Sequence, residues 1–310
     1  MLPVYMINGF LDSGKTAFIE YTISQPYFQT RGQTLLIVCE EGENEYDPEL
    51  LKKAHAVMET IEEEKDFTPQ TLIGFEKKHR PTRVLIEFNG MWNSKNVKYP
   101  WHWKMEQQIT MIDGSTFASY FTNMKSLLAE HIRKSEMILM NRCDGIMDKI
   151  ASYKRNIKAI NQTADIIFED KNGEINVTLE EDLPYDINAD TIDLNDTAYG
   201  VWYIDVLDNA QRYVGKTVSY VGQVLKPAEF PAGYFVPGRM AMTCCADDMA
   251  FLGYACKYAG TNELKDKDWV KVKAKVGIEY FEDYGREGPV LSALSIEKTA
   301  APKDPVISFV

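Results

Sequence analysis

Four residues near the start of the chain have the types and spacing of a phosphate-binding loop. Gly9, Gly14, Lys15 and Thr16 fit the pattern G-x-x-x-x-G-K-[ST] in the segment "INGFLDSGKTAFIEYT". In such a loop, backbone N–H groups surround phosphate oxygens, the lysine neutralises their charge and the hydroxyl reaches Mg²⁺. We therefore predict a nucleotide phosphate site in which Lys15 has a catalytic role. The other loop residues predicted to contact the nucleotide are Asp12, Ser13 and Ala17.

The elements on either side of this loop agree with that chemistry. The apolar run "PVYMI" before it predicts a buried strand, and "KTAFIEYTI" after it has the spacing of a helix. A strand, a glycine-rich loop and a helix in this order are typical of a phosphate site. The alternative is a glycine turn without a ligand, and the lysine and threonine in register disfavour it.

A second acidic group is needed near Mg²⁺, and Glu87 is the candidate. It follows the apolar run "VLI" in "VLIEFNG", so it lies at the C-terminal end of a predicted strand, where loops converge over a ligand. Gly90, three positions later, is predicted to direct its N–H towards a terminal phosphate. The alternative is a surface glutamate after a strand.

A base-reading element is predicted in "MILMNRCDG". Asn141 and Asp144 lie three positions apart after an apolar strand, which resembles the N-K-x-D motif of GTPases. The resemblance implies that Asp144 accepts hydrogen bonds from the N1–H and exocyclic amine of guanine. Arg142 replaces the lysine, and its aliphatic stem is expected to cover the purine in the same way.

Strand-like and helix-like segments alternate through the first half of the chain. This pattern predicts βαβ units and a mainly parallel sheet, the α/β fold of a P-loop NTPase domain, over residues 1–180. Helices are expected in "DPELLKKAHAVMETIEEE" and "FASYFTNMKSLLAEHIRKS". An acidic connector is expected over 181–196. Short alternating strands with glycine and proline turns then predict a small all-β domain, an OB-like barrel, over 197–310.

With these motifs in order, the first half resembles the CobW/HypB/UreG class of P-loop GTPases, and within it the CobW-like metallochaperones. The family's "TGFLGSGKT" is "NGFLDSGKT" here, its "E-x-x-G" runs from Glu87 to Gly90, and its "VVDA..F" is "MIDGSTF". Its "NEFGEVGID" is "CEEGENEYD", which retains Glu40, Gly42, Glu43 and Asp47. The resemblance implies GTP and Mg²⁺ as cofactors, with Thr16, Asp47 and Glu87 at the magnesium.

Two departures from that family bear on metal transfer. CobW-like proteins usually carry a C-x-C-C motif after the second strand, whereas "HAVMETIEEEKDFTPQTL" contains no cysteine. Cys39 stands where the family has asparagine. It is either a metal ligand or, as is more common for a thiol at a strand end, a buried side chain.

The second half resembles the C-terminal region of the YcgQ-like family, proteins found with a permease. The shared positions are Tyr213, Gly215, Lys216, Arg239, Cys244, Cys245, Ala246, Asp247, Trp269 and Val270. Members of that family normally carry transmembrane helices, and we predict none here because no apolar run approaches the length of a membrane span.

A zinc site is one hypothesis for "CCADD". Cys244, Cys245 and either Asp247 or Asp248 concentrate thiolates and carboxylates, and Cys256 is expected on the next strand. Adjacent strand residues point to opposite faces, however, so both thiols bind one ion only if a bulge or turn intervenes. The alternative is a structural pair with one thiol in the core.

The overall composition excludes several classes. A net charge of −12 opposes binding to nucleic acid, and 45% hydrophobic residues indicate a packed globular protein. Five cysteines, two of them adjacent, indicate reduced thiols, and no signal-peptide pattern begins the chain. We expect a cytoplasmic protein.

The first functional hypothesis is a GTP-binding protein that hydrolyses GTP slowly and serves as a zinc chaperone or metal-homeostasis GTPase. No arginine finger is identified, so low turnover is expected unless a partner or a second subunit supplies a positive group. A metal-receiving protein or a membrane permease is the expected partner, and a homodimer is the assembly considered. The rival hypothesis is a nucleotide-gated adaptor or sensor for a membrane permease, with little hydrolysis and no metal cargo. A third, an ATP-dependent kinase of small molecules, is disfavoured by "NRCD".

Overall fold

The computed structural model describes residues 1–40, 42, 45–175, 183–242 and 249–308. The chain divides into two compact units, Met1–Thr178 and Leu179–Val310. Within the described residues, no helix is long and apolar enough to cross a membrane.

The first unit is built on a sheet with strand order β3-β2-β4-β1-β5-β6-β7-β8. Its strands are β1 Leu2–Asn8, β2 Thr34–Val38, β3 Ala56–Thr60, β4 Arg83–Glu87, β5 Trp103–Asp113, β6 Met137–Asn141, β7 Asp165–Asp170 and β8 Gly173–Glu174. Its helices are α1 Lys15–Ser24, α2 Pro48–Lys53, α3 Pro69–His79, α4 Phe117–Asn123, α5 Lys125–Arg133 and α6 Ile150–Ile160. All neighbouring strands pair in parallel except β7 and β8.

The sheet is covered on both faces, and this explains its continuous apolar strands. Every residue of β2 is buried, and the last four residues of β4 are buried too. Two core clusters lie on the two faces: one contains Leu35 and Leu72, the other Leu36 and Ile19. The carboxyl ends of β1, β4, β5 and β6 consequently meet at one edge, where the predicted site residues follow their strands.

The helix predicted over "DPELLKKAHAVMETIEEE" is wrong beyond its first turns. Helix α2 ends at Lys53, His55 takes a left-handed backbone conformation (φ 51°), and the chain continues as β3, paired in parallel with β2. Pairing with β2 outweighed the helical spacing of the sequence. The helix predicted over "FASYFTNMKSLLAEHIRKS" is instead two helices, α4 and α5, which meet at Met124.

The described residues of the second unit form a barrel with one α-helix. Its elements are β9 Ile192–Asp193, α7 Asp196–Asn209, β10 Thr217–Leu225, β11 Tyr234–Met242, β12 Met249–Gly253, β13 Cys256–Lys257, β14 Trp269–Phe281, β15 Arg286–Lys298 and β16 Val306–Ser308. The pairings β10–β14, β14–β15, β15–β13, β13–β11 and β11–β10 form a closed ring. The predicted fold class, a mainly parallel P-loop domain plus a small β-barrel domain, is confirmed.

Helix α7 was not predicted from the sequence, and it supplies much of the core of the second unit. Trp202 is fully buried, and Tyr199 is almost fully buried. Their rings pack against Tyr220 of β10, with centroids 5.0–5.5 Å apart. Every residue from Ala198 to Val206 except Val201 is buried, so the helix is buried on most sides and lacks the single apolar stripe that gives a surface helix its periodic signal.

Candidate functional site

The glycine-rich loop between β1 and α1 can adopt its shape only with glycine at two positions. Gly9 (φ 138°) and Gly14 (φ 95°) have backbone conformations that other residues rarely adopt. A Cβ on Gly9 would lie 2.3 Å from the carbonyl oxygen of Met111, and one on Gly14 would lie 2.7 Å from Nδ2 of Asn141. The two glycines therefore let the loop pass close to the ends of β5 and β6.

The loop leads into the start of α1 beside an open cleft. Gly14 is the N-cap of α1, and no side chain caps the helix there. The first N–H groups of a helix have no partner within it, and they favour anionic ligands such as phosphate. The cleft is lined by Leu11, Asp12, Gly14, Lys15, Thr16, Ala17, Glu40, Gly42, Glu87 and Arg142.

Lys15 is held in the loop by three acceptors. Its Nζ donates to the carbonyl oxygens of Gly9 and Phe10, at 2.9 Å each, and to Oε2 of Glu40 at 2.6 Å. Lys15 and Glu40 are 3% and 9% exposed, so they form a buried ion pair. A bound phosphate would have to compete with the Glu40 carboxylate for this ammonium group.

Glu87 links the loop to the segment that follows β2. Its Oε1 accepts from the hydroxyl of Thr16 at 3.0 Å, and its Oε2 accepts from the hydroxyl of Tyr46. Burial raises the pKa of Glu87, and the hydrogen bond from Tyr46, the charge of Lys15 and the hydrogen bond from Thr16 oppose that shift. Burial and the adjacent charge of Glu87 raise the pKa of Tyr46, so its phenol stays protonated and acts as a donor.

Asp47 lies at the start of α2. Its carboxylate accepts from the N–H of Glu49 at 2.9 Å and caps the helix, while its own N–H donates to Oε1 of Glu20 at 2.8 Å. The hydroxyl of Thr16 and the carboxylate of Glu87 are oxygen ligands of the kind that Mg²⁺ prefers, so these residues fit the ion. Whether Asp47 joins them at the ion stays a prediction.

Two of the three base-reading candidates contact the glycine-rich loop, and the third contacts a different segment. Asn141 donates from Nδ2 to the carbonyl oxygen of Ser13 at 2.8 Å, and its buried Oδ1 has no hydrogen-bond partner among the described residues. Arg142 directs its guanidinium to the carbonyl oxygen of Asp12 and to Asp113. Asp144 is exposed and accepts from the N–H of Lys171 at 3.3 Å.

Gly90 packs directly against the glycine-rich loop. A Cβ at this position would lie 2.3 Å from the carbonyl oxygen of Gly9 and 2.8 Å from Cα of Phe10. The glycine is thus needed for the close approach of the two chain segments. Whether its N–H contacts phosphate stays a prediction.

The structure describes Cys39 but does not describe the candidate zinc ligands of the second unit. Cys39 is buried at the end of β2, and burial raises the pKa of its thiol, so this residue has the character of the buried alternative. Its side chain borders a second, open pocket, together with Glu40 and Glu62. No cluster of three metal-binding side chains occurs within the described ranges. The residues Glu43, Cys244, Cys245 and Asp247 lie outside those ranges.

Sequence reasoning missed two contacts of this site. Tyr46 lies 41 positions before Glu87, and Asp113 lies 29 positions before Arg142. Both residues belong to segments that resemble motifs of the family, but neither was given a role from the sequence. Tyr46 precedes Asp47, and Asp113 ends the strand in "MIDG", so both lay in segments that the sequence had already indicated.

Comparisons with known proteins agree with this division. The model of the CobW/HypB/UreG nucleotide-binding domain matches residues 3–168, and that of the DUF1980 C-terminal domain matches residues 171–308. The resemblances to known families that the sequence predicted for the two parts of the chain are confirmed. The comparison with curated proteins gave no match.

Solved structures with a similar fold include a HypB protein and a YjiA GTPase. The hydrogenase maturation factor HypB from Archaeoglobus fulgidus is 20% identical, with a TM-score of 0.43 over 56% of this chain and 84% of that chain. The Zn(II)-bound YjiA GTPase from E. coli is 17% identical, with a TM-score of 0.40 over 53% of this chain and 56% of that chain. Both scores are low, so the family assignment depends on the match to the family model.

Proposed function

Because the chain belongs to the CobW/HypB/UreG family of nucleotide-binding domains, we propose that it binds GTP with Mg²⁺, hydrolyses it slowly and serves metal homeostasis. One observation carries the nucleotide part of this proposal. Lys15, Thr16 and Glu87 line a single cleft at the start of α1, where the glycine-rich loop leaves space for phosphate. The cytoplasm is the proposed location.

The residues of the cleft have separate tasks in this proposal. Lys15 exchanges the Glu40 carboxylate for phosphate oxygens, and the N–H groups at the start of α1 hold the remaining charge. Thr16 and Glu87 hold Mg²⁺, which neutralises charge on the phosphates. Glu87 also orders the water that attacks the γ-phosphate in line.

Slow turnover follows from the position of Arg142. Among the described residues that line the cleft, Arg142 is the one arginine. Its guanidinium is already bound to Asp113 and to the carbonyl oxygen of Asp12. A residue held in this way is poorly placed to stabilise charge on the γ-phosphate. A protein partner or a second subunit would then raise the rate by supplying a cation.

Guanine selection is assigned to Asp144, with Asn141 and Arg142 holding the loop below the base. Asp144 is exposed and accepts a long hydrogen bond of 3.3 Å from the N–H of Lys171, so its carboxylate keeps capacity to accept from a ligand. Asn141 and Arg142 each donate to a carbonyl oxygen of the glycine-rich loop. These contacts support the GTP hypothesis over the ATP-dependent kinase.

The metal part of the proposal rests on the family and on the second unit. Cys244, Cys245 and Asp247 are the proposed zinc ligands, because they combine thiolates and a carboxylate within four positions of the sequence. The competing hypothesis is a nucleotide-gated adaptor for a membrane permease. It predicts nucleotide binding with negligible turnover and no metal.

The test compares Lys15→Ala with Lys98→Ala, a variant of an exposed lysine in the same unit. GTP affinity is expected to fall about 100-fold or more in Lys15→Ala, because phosphate charge loses a buried cation, and to stay unchanged in Lys98→Ala. Equal GTP affinity in both variants would refute the site. Turnover by the wild type, measured with and without Zn²⁺, then separates a GTPase from an adaptor.

A further inference from the structure

Tyr46 makes a buried polar contact that the nucleotide motifs do not include. Its ring belongs to the apolar cluster formed by Ile19 of α1 and Val38 of β2, and only 9% of the residue is exposed. Its hydroxyl donates to Oε2 of Glu87, which is 4% exposed. A hydrogen bond shielded from water in this way fixes the orientation of the carboxylate that accepts it.

The two oxygens of Glu87 are oriented from different sides. Oε1 accepts from Thr16 at the start of α1, and Oε2 accepts from Tyr46 after β2. A carboxylate has about four acceptor sites, so each oxygen keeps capacity for a further ligand. The donors therefore set the direction of the carboxylate without saturating it.

The backbone around Tyr46 is itself anchored. The N–H of the next residue, Asp47, donates to Oε1 of Glu20 in α1, and the Asp47 carboxylate caps α2. Contacts to two helices thus hold the position from which the Tyr46 hydroxyl reaches Glu87. Glu40, earlier in the same segment, contacts Lys15 instead, which is a phosphate-binding group.

We propose that Tyr46 is a positioning residue for Glu87. This proposal rests on the GTP and Mg²⁺ site proposed above. It holds the carboxylate towards Thr16, and so couples the segment after β2 to the affinity of the nucleotide site for Mg²⁺. Outer-shell donors to a ligating side chain typically contribute about 10–100-fold to metal affinity. The expected effect of losing the hydroxyl is therefore on Mg²⁺ and not on the nucleotide itself.

Tyr46→Phe tests this role, because it removes one hydroxyl and keeps the buried ring. Affinity for GDP that carries a fluorescent N-methylanthraniloyl group is measured in EDTA and during a Mg²⁺ titration. In EDTA we expect the variant to match the wild type within about twofold. The half-saturating Mg²⁺ concentration is expected to rise about tenfold or more.

Tyr99→Phe is the matched control, since the Tyr99 hydroxyl donates to the sulfur of Met6 at 3.4 Å. It should behave as the wild type. A Tyr46→Phe variant with wild-type Mg²⁺ dependence would overturn the positioning role and leave the GTP site intact. Equal loss of affinity in EDTA and in Mg²⁺ would also overturn it, in favour of a structural role. Failure of the wild type to bind the nucleotide would reject both proposals.

Discussion

At the scale of single residues, the site is a set of side chains that are already paired with one another. Lys15 has Glu40, Thr16 has Glu87, and Arg142 has Asp113. Lys15, Glu87 and Asp113 are buried or mostly buried, and leaving these charged groups without a partner would be costly. In the proposed nucleotide site, phosphate would therefore displace Glu40 from Lys15, whereas Glu87 keeps acceptor capacity for a ligand beside its hydrogen bond from Thr16.

Asp144, the proposed base-reading residue, gives the first prediction. Asp144→Asn should weaken GTP binding by about 1.5–3 kcal/mol, or one to two orders of magnitude, because a charged acceptor of two guanine donors is lost. Xanthosine triphosphate should gain affinity, since its C2 carbonyl accepts from the new amide. Calorimetric titration with both nucleotides measures the change.

Asp165→Asn is a suitable control, because Asp165 is an exposed aspartate at the start of β7. It should leave both affinities unchanged. If the wild type binds ATP as tightly as GTP, "NRCD" is only a strand end followed by a turn.

At the scale of elements, α5 supports the glycine-rich loop through a buried imidazole. The His131 ring lies 5.0 Å from the Phe10 ring, and the Tyr120 ring of α4 stacks on Phe10 at 4.0 Å. The carbonyl oxygen of His131 accepts from Thr110 of β5 at 2.8 Å. The loop therefore rests on packed aromatic rings, which in turn are held by the sheet.

This packing predicts a loss of stability in mild acid. Burial lowers the pKa of His131 from 6.5 to about 4, so the unfolded chain takes up a proton that the folded chain refuses until about pH 4. Stability from the neutral ring is complete above pH 6.5 and falls as the pH decreases. Between pH 7 and pH 5 the loss from this group is about 2 kcal/mol.

Denaturant unfolding at the two pH values measures that loss. His131→Leu should remove this part of the pH dependence, whereas His55→Asn, at an exposed position, should retain it. An unchanged pH dependence in His131→Leu would contradict the assignment to this residue.

In the second unit, Arg239 ties three elements together. It lies on β11 and is 1% exposed. Its guanidinium forms an ion pair with Asp196, at the start of α7, at 2.7 Å. It also donates to the carbonyl oxygens of Asp304 and Pro305, which precede β16. Arg239→Met should destabilise this unit by about 2–4 kcal/mol, because these acceptors lose their donor while Asp196 stays partly solvated.

Hydrogen exchange of β11 and β16 is the measurement for this variant. Both strands should exchange faster in Arg239→Met, whereas Arg286→Met, at an exposed position on β15, should exchange as the wild type. Unchanged protection of β16 would show that the strand pairing alone holds this segment.

At the scale of the whole molecule, the two family matches join a nucleotide-binding domain to a β-barrel domain in one chain. The zinc hypothesis belongs to this scale, because its proposed ligands lie in the second unit and its proposed regulator, the nucleotide site, lies in the first.

Metal analysis of the full chain with Cys244→Ser and Cys245→Ser together should give less bound Zn²⁺ than the wild type. Cys143→Ser, at a buried thiol of the first unit, is the control and should retain it. Equal zinc content in the double variant and the wild type, with both folded, would reject these ligands.

The sequence alone determined the features that depend on short spacing. The glycine-rich loop, Glu87 after its strand and Asn141 after another were all identified, because each is defined by neighbours along the chain. Alternation of strands and helices predicted the parallel sheet for the same reason, and the closed barrel agrees with the short alternating strands after it.

Only the tertiary structure decided which groups face one another across that sheet. Strand β3 formed where helical spacing had predicted a helix, because pairing with β2 stabilises the strand and no local pattern encodes that partner. The Tyr46 to Glu87 contact spans 41 positions, and it exists because β2 and β4 are neighbours in the sheet. Glu40 reaches Lys15 for the same reason, since strand order brings the two loops together. Spacing along a chain specifies local geometry, whereas partners across a sheet depend on how all the strands pack.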